Sequence, residues 1–119
     1  MAVYLLVMHE SMLQTAIPVR YVDIEVAWVG DDEADVFIGG RNDVGGEMYR
    51  YLFQVGSEHH GCLRNYVIPN LDVSSAGWEL RIITNYSRPY HLAVRLYCRS
   101  AYGQTLGVLT EHQMIKLAD

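Results

Sequence analysis

The sequence predicts an all-β protein: a single-domain antiparallel β-sandwich of the jelly-roll or another Greek-key type, with eight or nine short strands and a small β-barrel as the alternative. Three observations carry that expectation. Apolar and polar residues alternate with a period of two through most of the chain, as they do where every second side chain of a pleated strand faces a core. Turn-forming residues interrupt the alternation about every ten residues, the spacing of short strands in a sandwich. No long segment repeats with the 3.6-residue period of a helix, and there is no fixed-length repeat or low-complexity linker.

The composition sets the outer bounds. A chain of 119 residues, half of them apolar and 19% charged, is the size of one domain and too hydrophobic to be disordered. Nine lysines and arginines against fourteen acids leave a net charge of −5. The arginines at 20, 41, 50, 64, 81, 88, 95 and 99 are scattered singly, so no basic stripe offsets that charge and nucleic acid is not an expected partner. The first apolar run, residues 2–8, meets His9 and Glu10 too soon to span a membrane, and it lacks the flanks of a secretory leader. The cytoplasm is the default compartment, with secretion left open if a leader has been removed. Two cysteines, Cys62 and Cys98, do not make a disulfide framework. Cys98 runs in phase with Leu92, Val94 and Leu96, so it reads as a free buried hydrophobe, with a Cys62–Cys98 bridge as the alternative.

Taken in order, residues 2–8 are apolar on both alternating sets. With Val3, Leu5 and Val7 toward the core, Tyr4, Leu6 and Met8 look outward, and a homo-oligomer that covers them is expected. Residues 11–15 form a helical turn or an irregular link. Residues 19–29 alternate cleanly, Val22, Ile24, Val26 and Trp28 against Tyr21, Asp23, Glu25 and Ala27. A polar turn follows, then a short strand at 36–38 that Gly39-Gly40 ends, then a loop over 41–46. Residues 48–55 place Tyr49, Tyr51, Phe53 and Val55 on one face. After the loop 56–61 comes a strand over 63–68 that stops at Pro69-Asn70, and turn residues fill 71–77. Residues 78–99 read as a β-hairpin, with Trp78, Leu80 and Ile82 in one strand and Leu92, Val94, Leu96 and Cys98 in the other on the apolar face. A turn at 100–103, a strand at 104–109 and a last strand or short helix at 111–117 complete the chain.

Candidate chemistry is sparse. The loop holding His59, His60 and Cys62 concentrates zinc-type donors, yet adjacent histidines on extended backbone point apart and no second motif supplies partners at a recognised spacing. Asp31, Asp32 and Asp35 offer the hard oxygen donors that calcium takes, but without the alternating spacing or turn glycine of an EF-hand. A solvated loop and a solvated acidic turn are therefore expected, with zinc or calcium as the alternatives and no other cofactor. The glycine pairs form no phosphate loop, and no nucleophile elbow occurs. Nine tyrosines against two phenylalanines are the compositional oddity, because tyrosine suits surfaces that are wet alone and dry against a partner. Tyr86, Arg88 and Tyr90 in the turn, with Arg81, Arg95 and Tyr97 on the outer face, form the candidate ligand set. The expected function is a non-catalytic recognition module for a protein or carbohydrate. The alternatives are a small β-barrel or jelly-roll enzyme using His59 or His60 with a carboxylate in an apolar cavity, and a subunit of a viral or bacterial assembly.

Overall fold

The computed structural model describes residues 2–7, 17, 19–28, 33–41, 47–56, 64–73, 78–85 and 92–118. They form nine strands: β1 (Ala2–Val7), β2 (Tyr21–Trp28), β3 (Ala34–Arg41), β4 (Glu47–Val55), β5 (Asn65–Asp72), β6 (Glu79–Thr84), β7 (Leu92–Arg99), β8 (Thr105–Thr110) and β9 (Ile115–Ala118), with a 3₁₀ turn at Glu111–Gln113. A five-stranded sheet runs β4-β3-β6-β1-β9 and a four-stranded sheet β5-β2-β7-β8, with every pairing antiparallel. Only β3/β4 and β7/β8 are both consecutive and paired; every other connection carries the chain from one sheet to the other. The sheets keep separate edges, so the fold is the sandwich and not the closed barrel.

The alternation read from the sequence places the core. Val22, Ile24, Val26 and Trp28 of β2 and Val94, Leu96 and Cys98 of β7 are buried against Val36 and Ile38 of β3 and Leu80 and Ile82 of β6. At one side of the sandwich Phe53 of β4 stacks on Tyr66 of β5, ring centroids 4.0 Å apart and 7° from parallel, which joins the edge strands of the two sheets. Cys98 is free and fully buried, and burial pushes its thiol up to about 11. Cys62 lies outside the described residues.

Four expectations are corrected. Residues 78–99 are not a hairpin: β6 pairs with β3 and β1, while β7 pairs with β2 and β8. Alternation identifies the buried face of a strand but not the neighbour across its hydrogen bonds, and these two strands turn their apolar faces toward each other from opposite sheets. In β1 the phase is inverted, since Leu6 is 1% exposed and Tyr4 packs on the core while Val7 is 37% exposed. β1 is also flanked on both sides by its own chain, at β6 and β9, and Tyr4 and Leu6, whose outward placement argued for an oligomer, face the core; Met8 lies outside the described residues. Gly39-Gly40 does not end β3, because β4 and β6 hold the strand on both sides through Arg41. Pro69 does not end β5 either. β5 is an edge strand, where a missing N–H is tolerated, and it bulges opposite Asp23.

That bulge is pinned by a polar knot on the outer face. Asn70 takes a left-handed backbone, φ 55°, which asparagine tolerates better than most residues. Its N–H donates to Asp23 Oδ1 at 2.7 Å, and Arg99 donates to Asp23 Oδ1 and to Asn70 Oδ1, each at 2.6 Å. One guanidinium thus ties β5, β2 and β7 together. The β7/β8 turn is built similarly from one side chain: Ser100 Oγ accepts from the N–H groups of Tyr102 and Gln104, and Gly103 supplies the positive φ of 84°. The 111–117 region resolves into both of its alternatives in turn. Thr110 caps the 3₁₀ turn, Glu111 accepts the Val94 N–H at 2.9 Å, and β9 then crosses to β1.

Candidate functional site

The two outer faces of the sandwich differ in character. On the four-stranded sheet the charges are paired: Arg20 with Asp72 at 3.2 Å, Arg95 with Glu25 at 3.7 Å and Arg99 with Asp23 at 2.6 Å. The neighbouring Tyr97 hydroxyl, and after it the Glu25 carboxylate, raises the already high pKa of Arg95. This is an ordinary solvated face. The outer face of the five-stranded sheet carries Phe37, Ile83, Val3, Leu5 and Val7, with Leu52 76%, Ile115 59% and Leu117 52% exposed toward its two edges.

Within that apolar face lies a groove of about 290 Å³ lined by Phe37, Gly39, Gly40, Arg41, Arg50, Glu79, Arg81 and Ile83. Strand register builds it. Gly39 of β3 stands directly opposite Arg50 of β4 on one side and Arg81 of β6 on the other. The arginine Cα atoms are therefore two strand spacings apart, ~9.5 Å, and Gly39 places no side chain of its own between them. One row along, Phe37 pairs with Ile83; in the row beyond Gly39 on the other side, Arg41 pairs with Glu79. Side chains two apart on a strand share a face, so all of these look outward over the same hollow. Gly39 has ordinary extended backbone, and a Cβ there would come within 3.0 Å of the Phe37 ring. The glycine is thus needed for space and not for conformation: it lets Phe37 lean over the strand, where the ring becomes one wall of the groove.

Three guanidinium groups and one carboxylate give the hollow a net positive charge in a protein of net charge −5. Arg81 donates to Glu79 Oε1 at 3.3 Å, while its Nε–H is covered by protein and has no acceptor. An unmet donor of this kind costs roughly 1–3 kcal/mol. The arrangement has the chemistry to hold an anionic group over Gly39, with an apolar wall on one flank and a hydrogen-bond acceptor on the other. No known protein family, curated protein or solved structure matches this chain.

The structure separates the residues grouped from the sequence. Arg81 lines the groove, whereas Arg95 and Tyr97 lie on the outer face of the other sheet. Tyr86, Arg88 and Tyr90 lie outside the described residues, as do Asp31, Asp32, His59 and His60. Asp35 is described: its carboxylate accepts from Asn85 Nδ2 at 3.4 Å, and its N–H donates to Asn85 Oδ1 at 3.0 Å, an exchange that extends the β3/β6 pairing by one residue. Among the described residues no three histidine, cysteine or acidic side chains gather as a metal would need. The buried polar side chains among them are Thr84 and Ser100. No helix among them is long and apolar enough to cross a membrane. Arg41 and Arg50 stand in the sequence as isolated charges; the glycine pair Gly39-Gly40, which permits close approach, is the one local signal near Arg41.

Proposed function

We propose that this protein is a non-catalytic recognition module that holds its ligand, part of a protein or a carbohydrate, in the groove on the outer face of the five-stranded sheet. The observation that carries the reading is the placement of Gly39 between Arg50 and Arg81. A strand interior loses stability by giving up a side chain, and here the omission admits the Phe37 ring beside a hollow that the arginines line. Arg81 is retained from the candidate set, and Arg41, Arg50 and Phe37 join it. The test is binding to glycan and peptide arrays by the wild type and by Gly39→Val, which fills the hollow with a residue that favours strands. Ligands captured by the wild type and lost by the variant support the reading. Capture that is indifferent to Gly39→Val, or turnover of a captured small molecule, refutes it.

A second reading, a homo-oligomer or assembly subunit, draws on β9. It is an edge strand of the five-stranded sheet, and its outward Ile115 and Leu117 are 59% and 52% exposed. A bare apolar edge invites pairing with another copy. Sedimentation at micromolar concentration tests it: an oligomer that Leu117→Lys converts to a folded monomer supports the reading, and a monomeric wild type refutes it.

A further inference from the structure

We infer that the hollow over Gly39 takes a hexuronic acid residue, free or at the end of a glycan; this inference rests on the recognition reading above and names its ligand. The anionic part follows from the arginines. A guanidinium presents planar, parallel donors that match a carboxylate, and two of them face the hollow from opposite sides. Arg81 holds only a long bond to Glu79 and an unmet Nε–H, so a small movement toward an incoming carboxylate brings it a better acceptor.

The carboxylate alone does not fit the rest of the wall. Glu79 can only accept, and a sugar hydroxyl is the donor that an acetate-like anion lacks. Phe37 and Ile83 form the apolar flank, where the C–H face of a pyranose ring can lie. The volume, about 290 Å³, is at the small end of ligand pockets and suits one ring. The net charge of −5 opposes a long polyanion, which favours an isolated acidic residue over a phosphate polymer. An aspartate or glutamate side chain of a peptide would meet the arginines but would bring neither hydroxyls for Glu79 nor a ring for Phe37.

The experiment is a titration of the ¹⁵N-labelled protein, followed by the amide signals of Gly39 and Gly40 and the Nε signals of Arg50 and Arg81. The probes are D-glucuronate, D-glucose, acetate, glucose 6-phosphate and the peptide Gly-Glu-Gly. Saturable shifts at these positions are expected with glucuronate, at an affinity at least about tenfold above that of any other probe. Gly39→Val should abolish them while leaving the rest of the spectrum dispersed, and Gly39→Ala repeats the test if the larger side chain unfolds the protein. Arg81→Lys, which keeps the charge and removes the fork, should weaken glucuronate by about tenfold. Glucose, acetate, the phosphate or the peptide binding the groove as tightly as glucuronate overturns the sugar-acid inference and leaves the recognition reading standing. Unchanged affinity in Arg81→Lys overturns it also. If no probe moves these signals and no array ligand depends on Gly39, both fail together.

Discussion

Leu6→Ala measures which way β1 faces. Leu6 is 1% exposed and lies within the core cluster, directly opposite Leu80 of β6. Truncation removes the equivalent of three methylene groups, ~2.4 kcal/mol of transfer free energy, and the unfilled space raises the loss to about 3–5 kcal/mol. Against a typical stability of 5–15 kcal/mol, that is a large fraction of the total. Urea unfolding followed by tryptophan fluorescence is the assay, because Trp28 and Trp78 are 2% and 3% exposed and both report on core opening. Leu5→Ala is the internal control: Leu5 is half-buried on the outer face, and its loss should cost less than about 1.5 kcal/mol. Leu6→Asp should not yield a folded protein at all, since a carboxylate cannot be accommodated in that position without a partner. If Leu5→Ala is the more damaging of the two truncations, or if Leu6→Asp gives a folded monomer, the strand is packed in the opposite phase.

The remaining outcomes concern the β5 bulge and the buried thiol. Asn70→Ala should destabilise by about 1–3 kcal/mol, losing both a side chain suited to the left-handed backbone and an acceptor of Arg99, whereas Asn70→Gly should lose less because it keeps the backbone freedom; equal losses in urea titration would mean that the φ of 55° carries no strain. Cys98, with a thiol pushed up to about 11 from 9.0, should resist thiol reagents until the protein unfolds. A thiol that deprotonates less readily when folded stabilises below pH 9 and loses that contribution as pH rises toward about 11, a fall of ~2–3 kcal/mol. Cys98→Ala should lack that part of the alkaline decline, and an identical pH profile in the variant would contradict it. Cys98→Ser should be less stable than the wild type, because the hydroxyl needs a partner that the site lacks.

The faces of β2, β6 and β7 were legible in the sequence because each has one apolar and one polar side, so that Val22, Ile24 and Val26 or Leu80 and Ile82 declare their phase. β1 has no polar side. The choice between Leu5 and Leu6 therefore depends on sheet pairing that no local pattern encodes. The same gap explains the hairpin. Residues 85–91 look like a turn, but whether a turn joins neighbours in one sheet or crosses between two is decided by where β2, β3 and β1 come to lie. Glycine usually interrupts strands, and Gly39-Gly40 would do so at an edge; between β4 and β6 the hydrogen bonds on both sides hold it. The candidate site was legible as a single member, Arg81. Arg50 is distant from it in the chain, and only register brings both beside Gly39.

The position of β1 between β6 and β9 has a kinetic consequence. Five of the seven strand pairings in this sandwich join strands that are not consecutive, the topology of slow, millisecond-to-second folders. As the chain leaves a ribosome β1 is made before β6, which follows after four intervening strands, and before β9, which comes last of the nine described strands. During that interval Leu5, Leu6 and Val7 have no permanent neighbour, and an unpaired apolar strand is the kind of surface that aggregates or recruits a chaperone. Slower translation late in the chain would lengthen the exposure rather than relieve it. Of the nine described strands, β1 waits longest for both of its neighbours.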